Sequence, residues 1–252
     1  MSKWAWMGAS CRGVSHVKAA SRRQDAFSCF AVRAGSVLVT IVSDGAGSAS
    51  HGGEGASLVC RTMATSLRCH FGMTATMPDD DDVWRWLDEA RDRIGTAADR
   101  RGLTPRDFAA TMIATISDGA ETLVAHVGDG SCVVREVGDG RWHALSWPAQ
   151  GEYASTTFFV PDEPQPRLQI VRSVSGIDAV ATFTDGIERL ALEYATQTAH
   201  PPFFRGIVAP LDDALHVGFD FELSGMLRTY LDTPAINDRT DDDKTLVLAV
   251  LR

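Results

Sequence analysis

The chain has 252 residues, 44% hydrophobic and 23% charged, enough apolar side chain for the core of one large α/β domain or two small ones. Its net charge of −9, with no basic stretch to offset it, argues against a nucleic-acid surface. MSKWAWMGAS at the start lacks an apolar run long enough for a signal peptide, no segment approaches membrane-spanning length, and Cys11, Cys29, Cys60, Cys69 and Cys132 form a scattered, odd-numbered set without a CxxC pair. The expectation is a cytoplasmic protein with reduced thiols and neither disulfides nor zinc.

In chain order, β-type runs at about 26–33 and 36–43 are joined by Ala34-Gly35, a short turn that predicts an antiparallel hairpin. A helix follows, with Ala56, Val59, Cys60, Met63 and Leu67 on one face. A second carries Val83, Leu87, Ala90, Ile94 and Ala97 on its own face. Asp79 to Asp82 precede this second helix, where negative charge suits the positive helix end better than it suits a calcium site. Runs at about 110–117, 121–127 and 131–136 are punctuated by Ser117-Asp118-Gly119 and Gly128-Asp129-Gly130, read as turns of the same short kind. After an exposed Pro-rich loop at 161–166 come runs at about 168–174 and 179–184, two helices near 203–217 and 220–232, and a last run at about 245–251. Hairpins outnumber parallel crossovers, so the fold class is α+β, with antiparallel sheets covered by helices.

Four aspartates stand where β runs meet turns: Asp25 in SRRQDAF, Asp44 in VTIVSDGAG, Asp185 in AVATFTDGIERL and Asp242 in DDDKTLVLAVL. Strand ends far apart in sequence can converge on one edge of a sheet. Four carboxylates there would repel one another unless cations offset their charge. The pattern therefore predicts a dinuclear site with oxygen ligands, suited to Mn²⁺ or Mg²⁺ and not to zinc.

The same segments, in the same order, resemble the PPM family of protein phosphatase 2C-like, metal-dependent serine/threonine phosphatases. RRQDAF is similar to its (N/E)-D-A signature, with Gln24 in place of the usual acid. SDGAGSASHGGEGAS resembles the D-G-x-G block, and FAATMIATI a degraded G-T-T segment. AHVGDGSCVV resembles V-G-D-S-R, TFTDGIERL the S/T-D-G block, and DDKTLVLAV the closing D-N-x-T strand. Each motif is weak alone, because D-G is a common turn, but the order of six spans roughly residues 8–252 and looks most like a compact bacterial branch.

The resemblance implies a four-layer α-β-β-α sandwich forming a single catalytic domain over 1–252. It implies Asp25, Asp44, Asp185 and Asp242 as metal ligands, a backbone carbonyl from Gly45, and a third, looser metal at Asp129. Two metals would share a water, lower its pKa and hold it in line with the leaving oxygen of a phosphoserine or phosphothreonine. Asp44, in the central signature, is expected to bridge them. The phosphate-gripping cation is open among His16, Lys18, Arg22 and Arg23. His16 with Lys18 is favoured because the GVSH turn resembles the bacterial branch, against a reading as an exposed basic strand end. Gln24 would orient a coordinated water. Ala46 stands where some members carry His; His51 is the nearest replacement, against a solvent-facing loop histidine, and His126 reads as a core residue. Gly52, Gly53 and Gly55 read as a tight turn packing near the metals, against a phosphate cradle, and Asp241 and Asp243 as surface acidity, against one of them assisting the site. Expected partners are a phosphorylated protein, chosen through loops at 146–167 and 195–220, and a cognate serine/threonine kinase, with no nucleic acid and no membrane. The rival reading is a pseudophosphatase that binds a phosphoprotein without turning it over; loss of a metal-ligand aspartate would favour it, and none of the four is lost.

Overall fold

A computed structural model describes residues 2–149 and 157–252. The chain opens with β1 (Trp4–Cys11), α1 (Val14–Lys18), β2 (Ala26–Val32), β3 (Val37–Ser43), α2 (Gly52–Met73) and α3 (Asp80–Asp99). Next come β4 (Met112–Ser117), β5 (Thr122–Val127), β6 (Ser131–Glu136), β7 (Trp142–Ser146), β8 (Gln169–Ser173) and β9 (Ile177–Phe183). The last part holds α4 (Asp185–Ala191), β10 (Leu192–Glu193), β11 (Thr198–Ala199), α5 (Pro201–Asp213), β12 (Gly218–Phe219), α6 (Phe221–Leu231), α7 (Pro234–Asn237) and β13 (Lys244–Leu251).

Two sheets result, in the orders β2-β3-β4-β5-β8 and β12-β1-β13-β9-β6-β7, and every pairing within them is antiparallel except β1 with β12. The alternation of side chains along each strand assigns them to layers. In β3, Leu38 and Val42 meet Trp4, Ile113, Val180 and Val247 between the sheets, while Val39 and Ile41 pack on the other side with Val59, Met63 and Leu87 of α2 and α3. In β13, Val247 and Ala249 face inward, and Leu246, Leu248 and Val250 pack with Ile187, Phe204 and Leu227 of α4, α5 and α6. Burial on both faces explains why these strands read as continuous apolar runs. The layers are helix, sheet, sheet, helix, as the resemblance implied.

Local chemistry sets the element ends. Asp79 caps α3: its carboxylate accepts from Asp82 N at 2.8 Å, and Asp82 returns the favour to Asp79 N at 3.3 Å, so the acidic run is a capping box. The β2–β3 hairpin turns through Arg33, Ala34 and Gly35, all with positive φ (55°, 56° and 95°). No helix among the described residues is long and apolar enough to cross a membrane. All five cysteines are free thiols.

The short elements α1, α4, α7, β10, β11 and β12 have no counterpart in the sequence reading, and three further differences have a physical reason. β1 was given no strand, because it lies between β12 and β13 with nearly every residue buried and so shows no alternation. β7 was missed for a related reason: it is short, and its buried residues fall at its two ends. Gly128-Asp129-Gly130 does not close a hairpin. It carries the chain from β5 in one sheet to β6 in the other, with both glycines at positive φ (103° and 86°), and that corner matters for the site.

Candidate metal centre

Strand register brings the aspartates together. In the β2–β3 pair Ala26 stands opposite Ser43, so the next step outward sets Asp25 beside Asp44. In the β6–β9 pair Ser131 stands opposite Phe183, and the same outward extension sets Asp129 of the inter-sheet corner beside Asp185. Asp242 and Asp243 lead into β13, which pairs with β9 and supplies the third edge. One carboxylate oxygen from each of Asp44, Asp129 and Asp185 lies within 4.8 Å of the other two. The sheet-end convergence inferred from sequence is therefore present, and Asp129 stands inside the cluster.

Asp25 is the deepest of the four aspartates singled out by sequence, at 4% exposure. Its Oδ2 accepts from Thr184 Oγ1 at 2.8 Å and Thr245 Oγ1 at 2.5 Å, leaving Oδ1 without a partner. Thr184 is the N-cap of α4, yet its hydroxyl serves the site: it accepts from Thr245 N at 3.1 Å and donates to Asp25. Asp44 is fixed through its backbone, donating from N to Thr111 Oγ1 at 3.0 Å and accepting Thr111 N at 2.8 Å. Gly45 bridges to Ala110, and a Cβ on it would fall 2.2 Å from the carbonyl carbon of Gly52, so only glycine lets the Asp44 turn lie against the start of α2.

Asp185 opens α4, with its Oδ1 unpartnered. One turn along, Glu188 accepts Gly130 N at 2.7 Å and the Tyr194 hydroxyl, tying α4 to the Asp129 corner. A Cβ on Gly186 would fall 1.9 Å from the carbonyl oxygen of Asp243. Gly186→Ala is therefore expected to push α4 away from β13, lowering the melting temperature by several degrees and weakening metal binding. Thermal melts with and without Mn²⁺ check this.

The electrostatics are those of an anionic cage. Burial, then the charges of Asp25 and Asp185, hold Asp44 well above the usual carboxylate range. Burial, then Asp129, Asp242 and Asp25, do the same to Asp185. Asp25 is pushed up to about 6, chiefly by burial, and Asp129 is raised by burial against the opposing Thr157 hydroxyl. Buried oxygens without a hydrogen-bond partner are rare in native proteins, and here three of the aspartates, Asp25, Asp129 and Asp185, each carry one at Oδ1. All are hard oxygen donors, so the residues present fit divalent cations.

The basic candidates separate. His16, on α1, has Nδ1 3.0 Å from Asp243 Oδ1 and Nε2 3.8 Å from Asp242 Oδ1. Lys18 is exposed on the same short helix and makes no ion pair among the described residues. Arg23 is committed to backbone, donating to the carbonyls of Ser10 (3.0 Å) and Asp25 (3.2 Å), and Arg22 is exposed. His51 stacks on Phe108 with centroids 5.0 Å apart and bonds Ser50, a packing role. His126 is 1% exposed and held neutral by burial, its pKa about 4.

Asp243 corrects the sequence reading. It is 1% exposed, not surface acidity, because its carboxylate faces a ring of backbone N–H groups. Asp241 is exposed, as expected. Glu188, Thr184 and Thr245 also went unnamed; Glu188 follows Asp185 at helical spacing, which was the available signal.

A cavity of about 770 Å³ opens over the cluster, lined by Asp129, Asp185, Glu188, Asp242 and, at its edge, Arg189 and Arg239. Of the expected substrate loops, 195–220 proves largely α5, and the middle of 146–167 lies outside the described residues.

Comparison with known proteins agrees with this geometry. The family model described as protein phosphatase 2C matches residues 12–228. Serine/threonine-protein phosphatase 3 of Escherichia coli (strain K12) is 37% identical over 251 residues, covering 98% of both chains. The fold is shared with a bacterial serine phosphatase crystal structure (TM-score 0.65, 14% identity, 98% and 97% of the two chains). It is shared too with serine/threonine phosphatase Stp1 of Staphylococcus aureus (TM-score 0.64, 14% identity, 100% and 96%). By sequence, fold and carboxylate cluster together, the chain belongs to the protein phosphatase 2C family of metal-dependent phosphoprotein phosphatases.

Proposed function

We propose that this protein hydrolyses phosphoserine and phosphothreonine in proteins with the help of two Mn²⁺ or Mg²⁺ ions, and that Asp129 serves a third. The observation that carries the reading is the meeting of Asp44, Asp129 and Asp185 oxygens within 4.8 Å, beside unpartnered buried oxygens on Asp25, Asp129 and Asp185. Asp25, Asp44, Asp185, Asp242 and the Gly45 carbonyl would hold the ions, with Asp44 the central ligand. Bound divalent cations would supply what phosphomonoester hydrolysis lacks in water: a nucleophilic water of lowered pKa and compensation for charge on the phosphoryl oxygens.

The chain's own residues orient that chemistry. Thr184 and Thr245 fix one oxygen of Asp25 and leave the other free, and Thr111 fixes the backbone of Asp44. Glu188 joins the Asp129 corner to the helix that begins at Asp185. His16 is the one basic candidate whose ring faces the carboxylates of Asp242 and Asp243, and it is assigned to the substrate phosphate with Lys18 on the same helix. The phosphoprotein segment would enter the 770 Å³ cavity past Arg189 and Arg239.

The kinase that installs the phosphate is the implied pathway partner, and the five free thiols support a cytoplasmic setting. The residues 1–252 are read as one catalytic domain. Phosphate release from phosphoserine and phosphothreonine peptides is expected with Mn²⁺ and is expected to stop with chelator. Turnover that persists in excess chelator, or none on any phosphopeptide with Mn²⁺, would overturn the assignment.

A further inference from the structure

One buried carboxylate lies behind the metal-ligand aspartates and is not itself among them. Asp243 is 1% exposed. Its Oδ1 accepts Gly13 N at 2.7 Å, and its Oδ2 accepts Gln24 N at 2.5 Å and Asp25 N at 3.4 Å. His16 Nδ1 stands 3.0 Å from Oδ1. Its own N–H donates to Asp242 Oδ1 at 2.8 Å, and its carbonyl oxygen packs against Gly186, where any Cβ would sit 1.9 Å away. A single residue thus touches the Gly13 turn, α1, the lead into β2, the Asp242 side chain and the first turn of α4. These segments lie as much as 230 residues apart in sequence.

We propose that Asp243 is the positioning residue of the metal centre: it sets where Asp25, Asp242 and the Asp185-bearing end of α4 stand relative to one another, and it holds His16 at their edge. The inference rests on the reading of the cluster as a metal site. In this chain the contacts favour a carboxylate, at a position where the D-N-x-T strand carries an amide. Every side-chain neighbour named is an N–H donor or an imidazole nitrogen, and a carboxylate accepts on both oxygens. An amide of the same shape has one accepting oxygen and must turn its NH₂ towards at least one backbone N–H. Loss of that partner leaves a buried N–H unpaired and lets Gln24 and Asp25 move. A glutamate keeps the charge but lengthens the reach by one methylene, so it cannot occupy the same place between Gly13 and Gln24.

The test compares unaltered protein with Asp243→Asn and Asp243→Glu, using Mn²⁺ affinity from calorimetry, the melting temperature of the metal-free form, and kcat and KM on a phosphothreonine peptide at saturating Mn²⁺. Both variants are expected to bind Mn²⁺ at least tenfold more weakly and to lose kcat more than KM. A variant whose melting temperature falls while Mn²⁺ affinity and kcat stay within threefold overturns the proposal, since a purely structural role would do just that. So does an Asp243→Glu variant with unchanged affinity, which would make charge alone sufficient. Should neither variant fold, amide exchange in the unaltered protein decides: the Gly13 and Gln24 amides are expected to be protected as strongly as those of β13, and rapid exchange at both overturns the idea. If the unaltered protein binds no Mn²⁺, the metal-site reading itself fails, which the same titration reveals separately.

Discussion

Asp44→Asn is expected to lower Mn²⁺-dependent turnover of a phosphothreonine peptide by about 10³-fold or more, the scale on which losing a group that offsets transition-state charge acts. The metal-free variant is expected to be more stable than the unaltered protein, not less. Asp44 is partly buried and faces the charges of Asp25 and Asp185, and burial together with those charges raises its pKa well above the usual range. Replacing the carboxylate by an amide of nearly the same shape removes that repulsion without opening a cavity. For a chain of this size about 1 kcal/mol moves the melting temperature by roughly 2–4 °C, so a rise of a few degrees is the expected size. With saturating Mn²⁺ the order reverses, because only the unaltered site gains the full binding energy of the ions. The measurement is a pair of thermal melts, with Mn²⁺ and with chelator, beside a turnover assay. Near-normal turnover in the variant, or a lower metal-free melting temperature, would show that Asp44 is not at the crowded centre of the cage.

The second large effect is in pH. Asp25 has a folded-state pKa of about 6, and Asp44 and Asp185 lie well above the normal value, chiefly through burial. A carboxyl with a folded pKa above its unfolded value binds more protons folded than unfolded between the two. Its contribution to stability therefore falls as pH rises through that window. For Asp25 the difference from the normal 3.8 to about 6 amounts to about 3 kcal/mol of cost once it is fully ionised. His126 runs the other way: its folded pKa of about 4, set by burial, makes the protein more stable as pH rises from about 4 to 6.5. The two oppose each other between about pH 4 and 6, and the raised carboxyls of Asp44 and Asp185 add to the Asp25 side.

Metal-free protein is therefore expected to lose stability as pH rises through the range in which these raised carboxyls ionise. Mn²⁺ must displace the same protons, so its affinity is expected to be at least tenfold weaker at pH 5 than at pH 7. The gap between metal-loaded and metal-free melting temperatures should widen with pH, and this difference cancels groups such as His126 that titrate in both forms. A gap that is flat or narrows as pH rises would mean that the carboxylates do not hold protons that metal replaces.

The family and the candidate aspartates were legible because those aspartates sit where strand patterns break. A β run that ends in Ser-Asp-Gly or Thr-Asp-Gly places a carboxylate at a sheet edge wherever the strand lies, so Asp44 and Asp185 needed only local chemistry. The paired-sheet architecture was readable for a similar reason, since alternation and short turns are local properties. Helices α2 and α3 announced themselves through one apolar face and, for α3, an aspartate cap.

What sequence alone determined, then, was which side chains could serve as oxygen donors and which runs would be strands or helices. Tertiary structure decided the rest. Strand β1 shows no alternation because it is enclosed on both faces, and only its place between β12 and β13 reveals it. Asp129 joins the cluster because its turn crosses between sheets and the β6–β9 register sets it opposite Asp185, a relation no local pattern carries. Of the three consecutive acids, sequence singles out Asp242 through its motif and does not tell Asp241 from Asp243. The fold buries Asp243 against N–H groups from residues 13, 24 and 25 and leaves Asp241 in water, because hydrogen-bond partners so distant along the chain exist only once β13 has docked.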